Sequence, residues 1–205
     1  MPEALAHKLR RGLPLEDHAF DAMYPEWARE LSLVHWTPVE VARRAAELLV
    51  VRPGVRVLDV GAGVGKFCLI GALATSGVFY GIEQRFHFVR AAQAAAARLG
   101  LDPSRFLHGN MGALDWRGFD AFYLYNPFAE NLTSVMEPLD HSVTVDVSIF
   151  FAYVGLVRER LRDAPLGTRV VTYHGFGGEL PPGYRLERWE LSGTDRLELH
   201  VKRGA

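Results

Sequence analysis

From Val55 onward, short β-branched runs alternate with longer stretches whose apolar residues recur at helical spacing. Val55 to Val60, Val78 to Ile82, Arg105 to Leu107, Ala121 to Tyr125 and Arg169 to Tyr173 read as strands. Phe67 to Thr75, Phe88 to Leu99 and Val145 to Arg162 read as the helices between them. Strands and helices that alternate over short loops call for a parallel sheet with helices on both faces. The tail changes character. Tyr184 to Leu191 and Arg196 to Lys202 are strand-like and flank Ser192-Gly193-Thr194-Asp195, a hairpin signal that closes the sheet antiparallel. The predicted class is therefore α/β, a Rossmann-like doubly wound sheet.

Residues 1–35 place Phe20, Met23, Trp27, Leu31 and Val34 at helical spacing, punctuated by Pro14 and Pro25. This predicts two short helices in an N-terminal extension, with the main domain over residues 36–205. Thr37 then offers a capping hydroxyl before Pro38 at the first helical position, with Glu40 at the third, so a helix is expected from Pro38 to about Leu49.

The strongest chemical signal is Asp59-Val60-Gly61-Ala62-Gly63-Val64-Gly65, a strand running into a glycine loop at the mouth of a helix. Such a loop lets a ligand approach the backbone closely. The spacing is G-x-G-x-G rather than the dinucleotide G-x-G-x-x-G, and an acidic Asp59 sits where pyrophosphate would lie. A carboxylate there suits a cationic ligand. S-adenosylmethionine, with its sulfonium and α-ammonium, meets that requirement. Glu83, at the end of the second strand, stands where such folds accept ribose hydroxyls, and Asn110-Met111, after the third, offers a polar and an apolar contact for adenine. The alternative is a Rossmann-like domain whose glycine loop only packs.

Composition changes this picture little. The 205 residues are 49% hydrophobic and 23% charged, which excludes a disordered chain and points to one domain with a short extension. A net charge of −1 gives no dense basic surface, so nucleic acid is not the expected partner. With Cys68 the sole cysteine, neither an internal disulfide nor a Cys-based zinc site can form, and no histidines pair at i, i+4 spacing; no metal is expected. The N-terminus has no apolar signal-peptide core. The longest apolar stretch, Val147 to Val157, is about half a membrane span. A soluble, cytoplasmic protein without a membrane partner is the expectation.

Taken together, these motifs resemble the class I S-adenosylmethionine-dependent methyltransferases across roughly residues 36 to 203. The resemblance implies a seven-stranded sheet with its last strand antiparallel. Asp59, Gly61, Ala62 and Gly63, with Thr37, would line the methionine end, Glu83 the ribose, and Asn110 and Met111 the adenine. Thr37-Pro38-Val39-Glu40-Val41, the glycine loop with Lys66, and Tyr80-Gly81-Ile82-Glu83 look closest to the non-SET histone lysine methyltransferases and their small bacterial relatives. That family carries Asn-Asn-Phe where this chain has Asn126-Pro127-Phe128, and an aspartate where it has Asn110.

The same Asn126-Pro127-Phe128 is a partial match to the Asn/Asp-Pro-Pro-aromatic motif of amine and amide methyltransferases. It implies that Asn126 orients an acceptor nitrogen and also borders the cofactor, while Tyr125 and Phe128 wall the site. As packing, Pro127 simply ends the strand. His174, after the fifth strand, is either a proton acceptor on the ligand side or a hydrogen-bonded structural residue. Val34-His35-Trp36-Thr37 is placed to fold over the methionine end, and Cys68 reads as a small buried residue. The function implied is methyl transfer to a nitrogen or oxygen of a small molecule or protein side chain. A non-catalytic S-adenosylmethionine-binding scaffold or sensor is the alternative.

Overall fold

The computed structural model describes residues 2–132 and 140–204, with the side chains of Leu33 and Val34 outside that set. Its sheet has seven strands: β1 (Arg56–Val60), β2 (Val78–Glu83), β3 (Phe106–His108), β4 (Ala121–Tyr125), β5 (Arg169–Tyr173), β6 (Tyr184–Ser192) and β7 (Asp195–Lys202). They lie in the order β3-β2-β1-β4-β5-β7-β6. The first five are parallel, and β7 runs antiparallel between β5 and β6. The expected fold class is observed. Ser192 pairs with Asp195, so only Gly193 and Thr194 form the turn, and Gly193 takes the positive φ of 62° that a tight hairpin demands.

Alternation along β1 sends Val57 and Asp59 to one face and Leu58 and Val60 to the other. The first face is covered by α5 (Val39–Leu49), α6 (Lys66–Ala74) and α7 (Phe86–Arg98), whose Ala46, Ile70 and Ala92 are completely buried. The second is covered by α8 (Val147–Asp163) together with 3₁₀ turns at 111–113 and 116–118. The end of α8 is fastened by Lys202, whose ammonium donates to the carbonyls of Arg162 and Ala164; a cation there satisfies orphan carbonyls at the negative end of the helix.

Ahead of this sheet the two expected short helices are four: α1 (Pro2–Arg10), α2 (Asp17–Asp21), α3 (Glu26–Arg29) and α4 (Ser32–His35). Their Leu5, Leu9, Phe20 and Ala28, with Tyr24 from the link between α2 and α3, join the same buried cluster as α5, α6 and α7. The capping expectation at Thr37 fails, because its hydroxyl is committed to the Tyr123 hydroxyl at 3.0 Å and Pro38 lies outside the helix. The N–H of Val39 instead donates to the Asp17 carboxylate at 2.9 Å. A residue from another helix thus caps α5, with the negative charge that a helix N-terminus favours.

Asp17 also pairs with Lys66 at 2.6 Å, and Asp21 pairs with the same ammonium at 2.8 Å. Lys66 is 3% exposed and Asp21 5%, so removing either charge leaves a buried partner poorly compensated. Lys66→Met should therefore cost roughly 3–5 kcal/mol in denaturant unfolding, and the double variant with Asp21→Asn should recover much of it. A single variant as stable as wild type would show that this pair does not hold the N-terminal helices down.

Candidate active site

The parallel strands deliver their loops to one edge, and a cavity opens where the loops after β1, β2, β3 and β4 converge. Gly61 and Gly63 form part of its floor, with Ile82 and Glu83 beside them and Met111 further along. Tyr125, Asn126, Pro127 and Phe128 form one wall. Tyr153 of α8 contributes from the far side, and Leu31, His35 and Trp36 cover the top. A smaller recess shares His35, Trp36, Gly61, Gly63 and Tyr125 with this cavity and adds Thr37, Asp59, Ala62, Lys66, Phe67 and Tyr123.

The glycine loop is shaped by what surrounds it. The N–H groups of Gly61 and Ala62 both donate to the Ile82 carbonyl at 3.0 Å, which sews the loop to β2. Gly61 has φ 76°, and a Cβ on it would lie 3.1 Å from that of Pro127, so the asparagine-proline segment and the loop pack directly together. A Cβ on Gly63 would meet nothing within 4 Å: the backbone there borders open space.

Glu83 bridges the first two strand ends. Gly63 N–H donates to one carboxylate oxygen at 3.0 Å and Arg85 N–H to the other at 2.9 Å. Burial raises its pKa, and these two bonds act in the opposite direction. A carboxylate has about four acceptor sites, so both oxygens retain a lone pair for a ligand. Arg85, itself buried, extends the network with a two-pronged pair to Glu130 at 2.8 and 2.6 Å and a contact to Asp140 at 3.2 Å.

Asp59 faces the α5–α6 side beside its register partner Tyr123. Among the described residues its side-chain partner is the Cys68 thiol, which donates at 3.6 Å. Burial pushes the carboxyl up to about 8, with Glu83 adding to the effect, so among protein groups alone Asp59 is largely protonated at neutral pH. The sequence argument took it as a standing anion. In the folded chain burial favours its protonated form instead. Burial also lowers His35, which spans both hollows.

The other predicted positions separate into those that border the cavity and those that brace it. Met111, Tyr125, Asn126 and Phe128 border it. The Asn110 amide is spent inside the protein: its oxygen accepts from Gly112 N–H at 2.8 Å, and its nitrogen donates to Tyr153 at 2.6 Å and Gln84 at 3.2 Å. Met111, carried on the turn that this amide caps, is left to present an apolar face. Thr37 and Ala62 lie in the smaller recess. Sequence reasoning did not single out Gln84, Arg85, Glu130 or Tyr153. Gln84 and Arg85 follow Glu83 directly and were within reach of the motif, whereas nothing local marks Tyr153.

No family model matches the chain, and no curated protein does. Solved structures do. TrmN from Thermus thermophilus matches with a TM-score of 0.61 and 24% identity over 85% of this chain and 52% of that one, so the chain spans about half of TrmN. An RNA methyltransferase from Salinibacter ruber, solved with S-adenosyl-L-homocysteine, matches with a TM-score of 0.59 and 20% identity over 83% and 95%. A mutant of MtNAS solved with S-adenosylmethionine covers 98% of this chain and 73% of its own, at a TM-score of 0.56 and 14% identity. At these identities the likeness is one of fold, a Rossmann-like seven-stranded sheet shared with these structures. Among the described residues no helix is long and apolar enough to cross a membrane, and no cluster of three or more metal-ligating side chains is present.

The Asp59 environment fixes a pH dependence. A carboxyl held at about 8 in the folded chain and near 4 when unfolded contributes stability in full below pH 4, and loses it as pH rises through 8. Urea unfolding between pH 5 and 9 should show Asp59→Asn gaining on wild type as pH rises. Parallel curves would mean that the group ionises normally.

Proposed function

We propose that the chain is an S-adenosylmethionine-dependent methyltransferase acting on a nitrogen, or less readily an oxygen, of a small molecule or protein side chain. The observation that carries this reading is the meeting of Glu83, Gly63 and Met111 in one cavity, with Asp59 in the recess beside it. In this reading Glu83 takes the ribose hydroxyls on its remaining lone pairs, Met111 covers the adenine, and the open backbone at Gly63 lets the nucleoside approach closely. Asp59 faces the α-ammonium, with Thr37 and Ala62 around the methionine end. Asn110 acts indirectly, by holding the turn that carries Met111. When bound, the cofactor supplies an electrophilic methyl carbon on sulfur.

The acceptor enters against Tyr125, Asn126 and Phe128. Aromatic faces there favour a cation or a planar group, and alignment of the acceptor lone pair supplies most of the rate. Residues 36–205 form the catalytic unit in this reading and residues 1–35 its helical cover, in a cytoplasmic setting. Asn126-Pro127-Phe128 matches the Asn-Asn-Phe of the lysine methyltransferases only in part, since Pro127 replaces the second asparagine, so a protein lysine is one acceptor among several and not the favoured one. The name of the Salinibacter neighbour keeps RNA as a second reading, which a net charge of −1 does not favour.

Calorimetry should show S-adenosylmethionine binding and no NAD binding. Glu83→Ala should weaken it by about 2 kcal/mol, since two ribose hydroxyls lose their acceptor. NAD binding without S-adenosylmethionine binding would overturn the cofactor assignment.

Asn126 separates turnover from binding. Asn126→Ala should leave cofactor affinity within about threefold and lower methyl transfer about a hundredfold, as expected when alignment is lost. Asn126 sits at φ 39°, so Asn126→Gly supplies a variant without backbone strain. Transfer measured as S-adenosylhomocysteine over a pool of amines, phenols, peptides and RNA would identify the acceptor class. Binding with no transfer to any of them would favour the scaffold or sensor.

A further inference from the structure

The segment after β5 contains a second non-glycine residue in the left-handed region: His174, at φ 56°. Glycine is the residue that adopts such a backbone without penalty, and Gly175 follows at φ 65°. An imidazole kept at a glycine-like position strains the backbone and directs attention to what the ring does. His174 Nδ1 lies 2.7 Å from the Asp195 carboxylate, and Asp195 is the first residue of β7, beside the two-residue hairpin turn. The turn is itself fixed from below, because Thr194 N–H donates to the Tyr173 hydroxyl at 3.1 Å. Carboxylate and imidazole are thus set against each other by two separate elements.

The other ring nitrogen has a weaker neighbour. Nε2 stands 3.4 Å from the Thr194 hydroxyl, and the His174 side chain as a whole is 31% exposed. The ring lies 5.4 Å from that of Tyr125, the residue that walls both hollows of the candidate site, and 4.4 Å from that of Tyr173. The backbone ties the two strand ends together as well, since Asn126 N–H donates to the Gly175 carbonyl at 2.8 Å. Among the described residues, the groups that face the imidazole are the Asp195 carboxylate, the Tyr125 and Tyr173 phenols and the Thr194 hydroxyl.

We infer that His174, oriented by Asp195, is the proton acceptor for a methyl acceptor that enters beside Tyr125 carrying a dissociable N–H or O–H. The inference rests on the methyltransferase reading above. Nδ1–H faces Asp195, so Nε2 carries the lone pair, and the incoming group takes it by displacing the long 3.4 Å contact from the Thr194 hydroxyl. In the step the acceptor's N–H or O–H bond breaks and its proton forms a bond to Nε2. The acceptor's electron pair bonds the methyl carbon of S-adenosylmethionine, and the carbon–sulfur pair stays on sulfur to give S-adenosylhomocysteine. The positive charge that began on sulfur ends on an imidazolium beside the Asp195 carboxylate. A carboxylate that fixes the tautomer and stabilises the imidazolium is the general logic of such pairs.

His174→Gly is the decisive variant, because its backbone matches φ 56° and the fold is retained without the side chain. With S-adenosylmethionine tritiated on its methyl group and an undialysed cell extract as the acceptor source, this variant should lose at least a hundredfold in label transfer and bind the cofactor as wild type does. Added imidazole should restore transfer saturably, which a merely structural histidine would not show. Nitrogen-15 spectra of the imidazoles give a readout independent of turnover: His174 should be the Nδ1–H tautomer in wild type and shift toward Nε2–H in Asp195→Asn. Wild-type transfer in His174→Gly, or an Nε2–H tautomer in wild type, would overturn the assignment while leaving the methyltransferase reading intact. A wild-type protein that binds the cofactor and labels nothing would overturn both.

Discussion

Glu83 is the residue on which the shape of the candidate site depends. A parallel sheet brings its loops to one edge but leaves their relative positions open, and a buried carboxylate with a backbone N–H on each oxygen removes that freedom. Gly63 belongs to the loop after β1 and Arg85 to the segment after β2, so one side chain ties two strand ends. The same Arg85 then reaches Glu130, in the segment that follows β4. Three loops are thereby joined through a carboxylate, a guanidinium and a second carboxylate, all facing one cavity. Burial makes this network rigid, because each charge would be costly to leave unpaired.

Lys66 plays the corresponding part for the cover. The residue after the glycine loop would ordinarily be free to place its ammonium in water, and here it is enclosed by Phe20 and Trp36 and paired with Asp17 and Asp21. Asp17 in turn caps α5. The helix that follows the loop, the helix that precedes β1 and the N-terminal helices are consequently one electrostatic unit. The 31–36 segment is tied to the same unit, since the Ser32 hydroxyl donates to Asp21 and the Trp36 ring lies beside the Lys66 ammonium.

Much of this was legible in the chain. Ala121–Tyr125 and Arg169–Tyr173 were expected at their observed bounds, and the remaining sheet and helix ends moved by a residue or two, because strand and helix periods are local properties of the sequence. Interactions between distant segments were not legible. Thr37 had the composition of an N-cap, yet Tyr123, on β4, took its hydroxyl and Asp17 took its place. Asn110 had the chemistry to hold a base, yet Gly112, Gln84 and Tyr153 use its donors and acceptor. In each case the residue type was read correctly as polar and committed. What a single sequence does not encode is which partner three-dimensional packing supplies.

The two strained residues show how these levels connect. Asn126 and His174 end adjacent parallel strands, and both hold a backbone conformation in which glycine would be more stable. Neither strain is independent, since the Asn126 N–H is bonded to the carbonyl of the residue after His174. Turning the chain sharply at both ends lifts Asn126 into the cavity wall and sets His174 against the hairpin that carries Asp195. The antiparallel β7 is what makes this possible, because it begins where β5 ends and so places the start of the last strand on the ligand edge of the sheet. A sheet closed by a parallel strand would put that turn at the opposite edge, and the imidazole would face solvent with no carboxylate to orient it.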